Sequence, residues 1–349
     1  MIKAVIADDA PVLRQMLADL FEANGIQVVA SAKNGSEAVD MVKEHKPDVL
    51  ILDCEMPVMN GLDALKIIMR DNPLPVFMFS ALTREGASTT IKAMGLGAID
   101  FLAKPTADSG GLEAVSDELL QKIRTIVTRS RLGLFSKKFA GKDKVQDLPA
   151  LPERRIRLIA MGSSTGGVQA AGEVIPRLPA NLPPVVWVQH MPPNFTKSLA
   201  ERLDGLSKVR VHEAVDGQIL EYGHCYLAPG GFQMRLVKSG PSYKLRVGGT
   251  DKVSGHCPSC NVLFSSVSEY FAADSMGIIL TGMGDDGTEG LVKMHAKGAY
   301  VIGQDEPSCV VYGMPRAAYL KGAVDVQLHI GRIADAVVRI ASPEARQSA

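Results

Sequence analysis

The chain has 349 residues, 46% of them hydrophobic, and 38 basic residues balance 38 acidic ones. That length exceeds one average domain and predicts two. A neutral chain with no large basic surface argues against a nucleic-acid binder, and the lack of an apolar run of bilayer length argues against membrane insertion. The charge is unevenly spread: residues 1–122 carry 11 basic and 18 acidic residues, residues 123–151 carry 7 and 2, and the remainder carries 20 and 18. The N-terminus, MIKAVIADDA, has acidic residues where a signal peptide needs an apolar stretch. Five scattered cysteines do not form a disulfide framework, so a reduced, cytoplasmic setting is expected.

In chain order, IKAVIAD, IQVVASA, DVLILD, PVFMFSA and AIDFLAK alternate with helical patterns, the last of them near 112–129. Five β–α units predict an α/β fold with a flavodoxin-like, five-stranded parallel sheet over residues 1–122. From 123 to 151 the periodicity fades into a basic stretch with Gly141 and Pro149, read as a linker. Residues 152–349 resume with IRLIAMG, VVWVQ, VRVHEA and HCYLAP, then a hairpin turning at 239–242, a helix over 259–273, and strands MGIILTG, AYVIGQ and AVDVQL. This predicts a second, doubly wound and mostly parallel α/β domain with one antiparallel hairpin.

Asp8 and Asp9 close the first predicted strand and Asp53 the third. In a 2-1-3-4-5 strand order these strands are neighbours at the switch point where ligands bind. Three carboxylates in one crevice call for a hard cation such as Mg²⁺. Ser80 and Lys104 close strands four and five, a hydroxyl and an ammonium suited to a transferred phosphoryl group. VIADDAP, ILDCEMPVMNGLDAL, FMFSALT and DFLAKP resemble the receiver domain of two-component response regulators. The resemblance implies that Asp53 is the phospho-acceptor, that Asp8, Asp9, Asp53 and the Glu55 carbonyl bind Mg²⁺, and that Ser80 and Lys104 sense the phosphoryl group. It also makes Phe101 the aromatic switch residue.

In the second unit, AMGSSTGGVQA follows a strand and opens a helix. It is not a phosphate-binding loop, because Val168 stands where the P-loop needs lysine. Gly162-Ser163-Ser164-Thr165-Gly166 fits G-x-S-x-G with Ser164 central, a nucleophile mounted on a strand-to-helix turn. A serine needs a base, and the base an orienting acid. His190 ends the next strand, while His256, on a loop, is a secondary candidate. Asp285 and Asp286 follow strand MGIIL in a glycine-rich loop. Serine, histidine and aspartate thus come from three strand ends at one sheet edge. Their order, Ser…His…Asp, is not that of the α/β-hydrolases.

GSSTGG, QHMPPNFT, HCPSCNVLFSSV and ILTGMGDDGTEGL resemble the catalytic domain of chemotaxis protein-glutamate methylesterases, and the receiver–linker–esterase order matches along the chain. The resemblance implies Ser164 as nucleophile, His190 as base and Asp286 as orienting acid, with Thr165 and Met283 contributing to the oxyanion site. It implies hydrolysis of glutamate γ-methyl esters on methyl-accepting chemotaxis receptors, with glutamine deamidation at the same site and no metal needed there. It further implies a chemotaxis histidine kinase as phosphodonor. The acidic receiver on its basic linker is expected to lie over the esterase sheet edge until Asp53 is phosphorylated. A DNA-binding output would need a basic recognition helix that this near-neutral unit lacks. Cys257-Pro258-Ser259-Cys260 departs from the usual family pattern. Without a second cysteine pair at zinc spacing, it reads as two small residues at a helix start.

Overall fold

Central strands buried on both faces read as continuous apolar runs, and the five expected strands of the first unit form one parallel sheet with one edge strand partly exposed. They are β1 (Ile2–Ala7), β2 (Ile26–Ala32), β3 (Val49–Asp53), β4 (Val76–Ser80) and β5 (Asp100–Ala103), in the order β2-β1-β3-β4-β5. The structure is a computed structural model and describes residues 1–81, 83–104, 113–132, 148–152, 154–240 and 242–341. It divides into two compact units, Met1–Gly141 and Lys142–Ala349.

Helices α1 (Pro11–Ala23), α2 (Gly35–His45), α3 (Gly61–Asp71), α4 (Arg84–Gly95) and α5 (Glu113–Arg131) alternate with these strands. Three of them start on side-chain caps: Asn34 accepts from the Glu37 N–H, Asn60 from Asp63 and Thr83 from Gly86. Each such cap stabilises its helix by about 1 kcal/mol. Helix α5 runs past residue 122 because Leu119, Leu120, Ile123, Ile126 and Val127 keep helical spacing and are all buried. The rest of the expected linker, residues 133–147, lies outside the described residues.

The second unit is built on seven strands. They are β6 (Leu158–Ser163), β7 (Val185–Gln189), β8 (Arg210–Glu213), β9 (His224–Leu227), β12 (Ser275–Ile279), β13 (Tyr300–Gln304) and β14 (Val326–Leu328). Their order is β14-β13-β12-β6-β7-β9-β8, and every pairing is parallel. Strands β6, β7 and β12, which carry the candidate site, are central and wholly buried. The antiparallel excursion, β10 (Met234–Ser239) with β11 (Ser242–Val247), closes at the Ser239–Ser242 pair, as the turn residues predict. Met234, Leu236 and Leu245 of this hairpin share a core with Leu263, Phe264 and Val267. Those last three belong to the helix Cys260–Tyr270, and this packing fixes where the start of that helix stands at the sheet edge.

Candidate active site

The receiver-like pocket forms where β1, β3, β4 and β5 end. Asp8 and Asp53 are buried, Asp9 is exposed, and carboxylate oxygens of the three lie within 4.8 Å of one another. Lys104 Nζ bridges Asp8 Oδ2 and Asp53 Oδ2 at 2.8 Å each. Burial pushes the Asp53 carboxyl up to about 6 against the pull of the Lys104 ammonium. Burial would lower the Lys104 ammonium, but its bonds to Asp53 and Asp8 hold it above its ordinary value. Ser80 is buried and its hydroxyl donates to the Gly86 carbonyl at 3.2 Å. A cavity of about 200 Å³ is lined by Asp9, Asp53, Glu55, Ser80 and Lys104. Phe101 is buried on β5. Behind the pocket α3 starts against the end of β3: a Cβ at Gly61 would lie 1.9 Å from the Asp53 carbonyl oxygen. No side chain fits there, so glycine lets the loop carrying Glu55 fold over Asp53.

In the second unit β6 ends at Ser163, and the chain turns through Ser164-Thr165-Gly166 into the helix Gly167–Val174. The turn needs its glycines. Gly166 has φ +79°, and a Cβ at Gly167 would meet Gln189 Oε1 at 2.1 Å. The two serines separate cleanly. Ser163 is fully buried; its hydroxyl donates to Gln189 Oε1 at 2.7 Å and accepts from Trp187 Nε1 at 2.8 Å. Ser164 is half-buried, and its hydroxyl has no hydrogen bond among the described residues. Its backbone is fixed instead: the Ser164 N–H donates to the Thr281 carbonyl and its carbonyl accepts from Gly167.

His190 follows β7, and its Nε2 lies 2.8 Å from Asp286 Oδ2. The neighbouring Asp285 is exposed, with no side-chain hydrogen bond among the described residues, whereas Asp286 is 1% exposed. The start of the helix Cys260–Tyr270 wraps the Asp286 carboxylate. Oδ1 accepts from Ser259 Oγ at 2.7 Å and the Asn261 N–H at 3.2 Å, while Oδ2 accepts from the Cys260 N–H at 2.6 Å. Burial alone would raise this carboxyl, but the bonds from His190, Ser259 and Cys260 outweigh it and hold the group below its ordinary value. An ionised Asp286 accepts the Nε2 proton, which leaves the lone pair of His190 on Nδ1. Nδ1 is buried and has no hydrogen-bond partner among the described residues. The backbone N–H groups of Thr165 and Met283 are likewise without partners among the described residues. His256, the secondary candidate, stacks flat on the His190 ring with centroids 3.7 Å apart.

The CheB methylesterase family matches residues 159–337, more than half of the chain, and the response regulator receiver domain matches residues 4–116. The chain belongs to the CheB methylesterase family. A protein-glutamate methylesterase/protein-glutamine glutaminase of Pectobacterium atrosepticum is 42% identical over 332 residues, 94% of each chain. The enzyme of the same name from Salmonella typhi is 41% identical, covering 95% of both. The CheB methylesterase catalytic domain of Thermotoga maritima superposes with a TM-score of 0.52 at 37% identity, covering 53% of this chain and 99% of that one.

Within this CheB-type unit two contributors lie in the motifs without a role assigned from sequence. Ser259 shows its role through its bond to Asp286. Gln189 is the other: its Nε2 donates to the Ser164 carbonyl at 2.9 Å and to the His190 carbonyl at 3.1 Å, while its Oε1 holds Ser163. One amide thus ties the backbones of both candidate residues. A Gln189→Met variant is expected to lose about 10- to 100-fold in kcat with KM little changed, because misplacement costs that order. Steady-state kinetics checks this; a variant at wild-type kcat would show that the tie is dispensable. The C-x-x-C pair also resolves. Cys257 is partly exposed, Cys260 is fully buried, and neither is in a disulfide. Burial and the adjacent Asp286 hold the Cys260 thiol well above its ordinary value.

Proposed function

We propose that the second unit hydrolyses glutamate γ-methyl esters on methyl-accepting chemotaxis receptors, with glutamine deamidation as a slower second activity, by a Ser164–His190–Asp286 mechanism. The observation that carries this reading is the His190–Asp286 bond at a sheet edge where Gln189 ties the Ser164 and His190 backbones together, with no hydrogen bond to the Ser164 hydroxyl among the described residues. Asp286 holds the ring with its proton on Nε2. Nδ1 takes the Ser164 proton as Oγ attacks the ester carbonyl. The Thr165 and Met283 N–H groups donate to the oxyanion. Methanol leaves with the proton from Nδ1, and a glutamyl ester remains on Ser164. Water, deprotonated by the same nitrogen, attacks that ester and returns glutamate and free serine. None of these steps needs a metal.

The first unit supplies the control. Asp53 accepts a phosphoryl group from a chemotaxis histidine kinase, and Lys104 and Ser80 meet its oxygens. Asp8, Asp9 and Asp53 form a hard-oxygen donor set that fits Mg²⁺, joined by the Glu55 carbonyl. Bound there, the cation would offset the charge brought in by the phosphoryl group. Phosphorylation then shifts the enzyme toward its active population. No helix among the described residues is long and apolar enough to cross a membrane, which is compatible with a cytoplasmic enzyme meeting receptor cytoplasmic domains. The test is methanol release from membranes bearing methylated receptors. Wild type should respond to a small-molecule phosphodonor, and Asp53→Asn should keep its basal rate without responding. Wild type releasing no methanol under either condition would overturn the substrate assignment.

A further inference from the structure

The Cys260 thiol is not needed for the proposed hydrolysis, yet its Sγ lies 3.7 Å from His190 Nε2. The ligand atoms of His190, Cys260 and Asp286 all fall within 4.8 Å of one another. We propose that these three side chains form a binding site for a thiophilic divalent cation, Zn²⁺ foremost, and that its occupancy shuts the esterase off.

The donor set is one thiolate, one imidazole and one carboxylate, which suits zinc and leaves a fourth position for water. Tetrahedral zinc with ordinary bond lengths separates its sulfur and nitrogen ligands by about 3.6 Å. The present Sγ–Nε2 distance is already 3.7 Å. The Nε2–Oδ2 pair, now 2.8 Å apart, has to open by roughly half an ångström to reach tetrahedral spacing. Charge also balances. A dication with a thiolate and a carboxylate is neutral, so a buried cluster carries no net charge into the protein. One proton is released as the ion enters, from the thiol, while the imidazole proton moves from Nε2 to Nδ1 by exchange with solvent, so the ring stays neutral. The outer shell exists beforehand: Ser259 Oγ and the Asn261 N–H already orient Asp286 through Oδ1, the oxygen the metal does not take.

The effect on activity follows from the tautomer and rests on the mechanism proposed above. A neutral imidazole has one ring proton. With zinc on Nε2, that proton sits on Nδ1, the nitrogen that must accept the Ser164 proton. The base is thereby removed while the site's shape persists.

The test uses the full chain stripped of metal. Co²⁺ added as a probe should bind at one equivalent and produce a thiolate-to-cobalt charge-transfer band. The band should be lost in Cys260→Ser and Cys260→Ala and kept in Cys257→Ala. His212 and His224 face each other at 3.1 Å and offer a second imidazole pair, so His224→Gln should leave the band intact. In parallel, Zn²⁺ should inhibit methanol release, chelator should restore it, and Cys260→Ser should raise the half-inhibiting zinc concentration by about 100-fold. A band that survives in both Cys260 variants, or no band in wild type, would overturn the site. Inhibition of equal strength in wild type and Cys260→Ser would overturn the shut-off. A Cys260-dependent band in an enzyme that releases no methanol would uphold the metal site and sink the esterase reading instead.

Discussion

Ser164→Ala is expected to lower methanol release by about 10⁴-fold or more, because the members of a nucleophile–base pair act as a unit and the residual rate comes from binding and the oxyanion donors alone. The neighbouring Ser163→Ala should behave differently. It deletes the acceptor of the Trp187 indole and the donor to Gln189. Two buried polar groups lose their partner, which costs about 1–3 kcal/mol each in stability, while the nucleophile survives. Comparing the two variants by initial rate and by denaturant unfolding separates the roles. The expected pattern is a stable, inactive Ser164→Ala and a less stable, active Ser163→Ala. If the pattern is reversed, the serine assignment fails.

Asp286→Asn is the second large effect. In serine proteases, replacing the triad aspartate by asparagine lowers kcat about 10⁴-fold by imposing the wrong histidine tautomer, and a loss of that order is expected here. The fold should suffer as well. Asp286 accepts from Ser259, Cys260, Asn261 and His190, and an amide turns one accepting oxygen into a donor facing donors. A loss of about 3 kcal/mol is expected at neutral pH, the lower end for breaking a buried charged network. The pH dependence has a definite sign. The folded-state carboxyl lies below its ordinary value, so its contribution is fully present above the usual carboxylate range. It is lost as pH falls through the lowered folded value. Denaturant unfolding of wild type should therefore show a loss of stability on acidification that is reduced in Asp286→Asn. Identical acid profiles, or a variant with wild-type turnover, would remove Asp286 from the proposed mechanism.

The central strands were legible because burial on both faces leaves unbroken apolar runs, and the candidate site was legible because it sits on strand ends. From IRLIAMG, VVWVQ and MGIIL the eye goes directly to Ser164, His190 and Asp286. Spacing centred G-x-S-x-G on Ser164, but it could not decide between Asp285 and Asp286 or show what Ser163 does instead. Ser163 and Ser164, or Asp285 and Asp286, differ in what surrounds them, and the surroundings come from elsewhere: Trp187, Gln189 and the helix start at Ser259. Cys260 shows the same limit. A search along the sequence for a second cysteine pair finds none, while the thiol's neighbours are a histidine 70 residues away and a carboxylate 26 residues away. Helix α5, expected near 112–129, was legible over nearly its whole length because its apolar positions keep helical spacing to Val127.

The bond between Trp187 and Ser163 has an optical consequence. Trp187 is the single tryptophan of the chain; it is wholly buried, and its indole hydrogen-bonds the residue next to Ser164. Indole emission therefore originates entirely in the second unit. Melting of that unit can be followed at one wavelength while the first contributes no signal, so its unfolding can be isolated in the intact chain without attaching a dye.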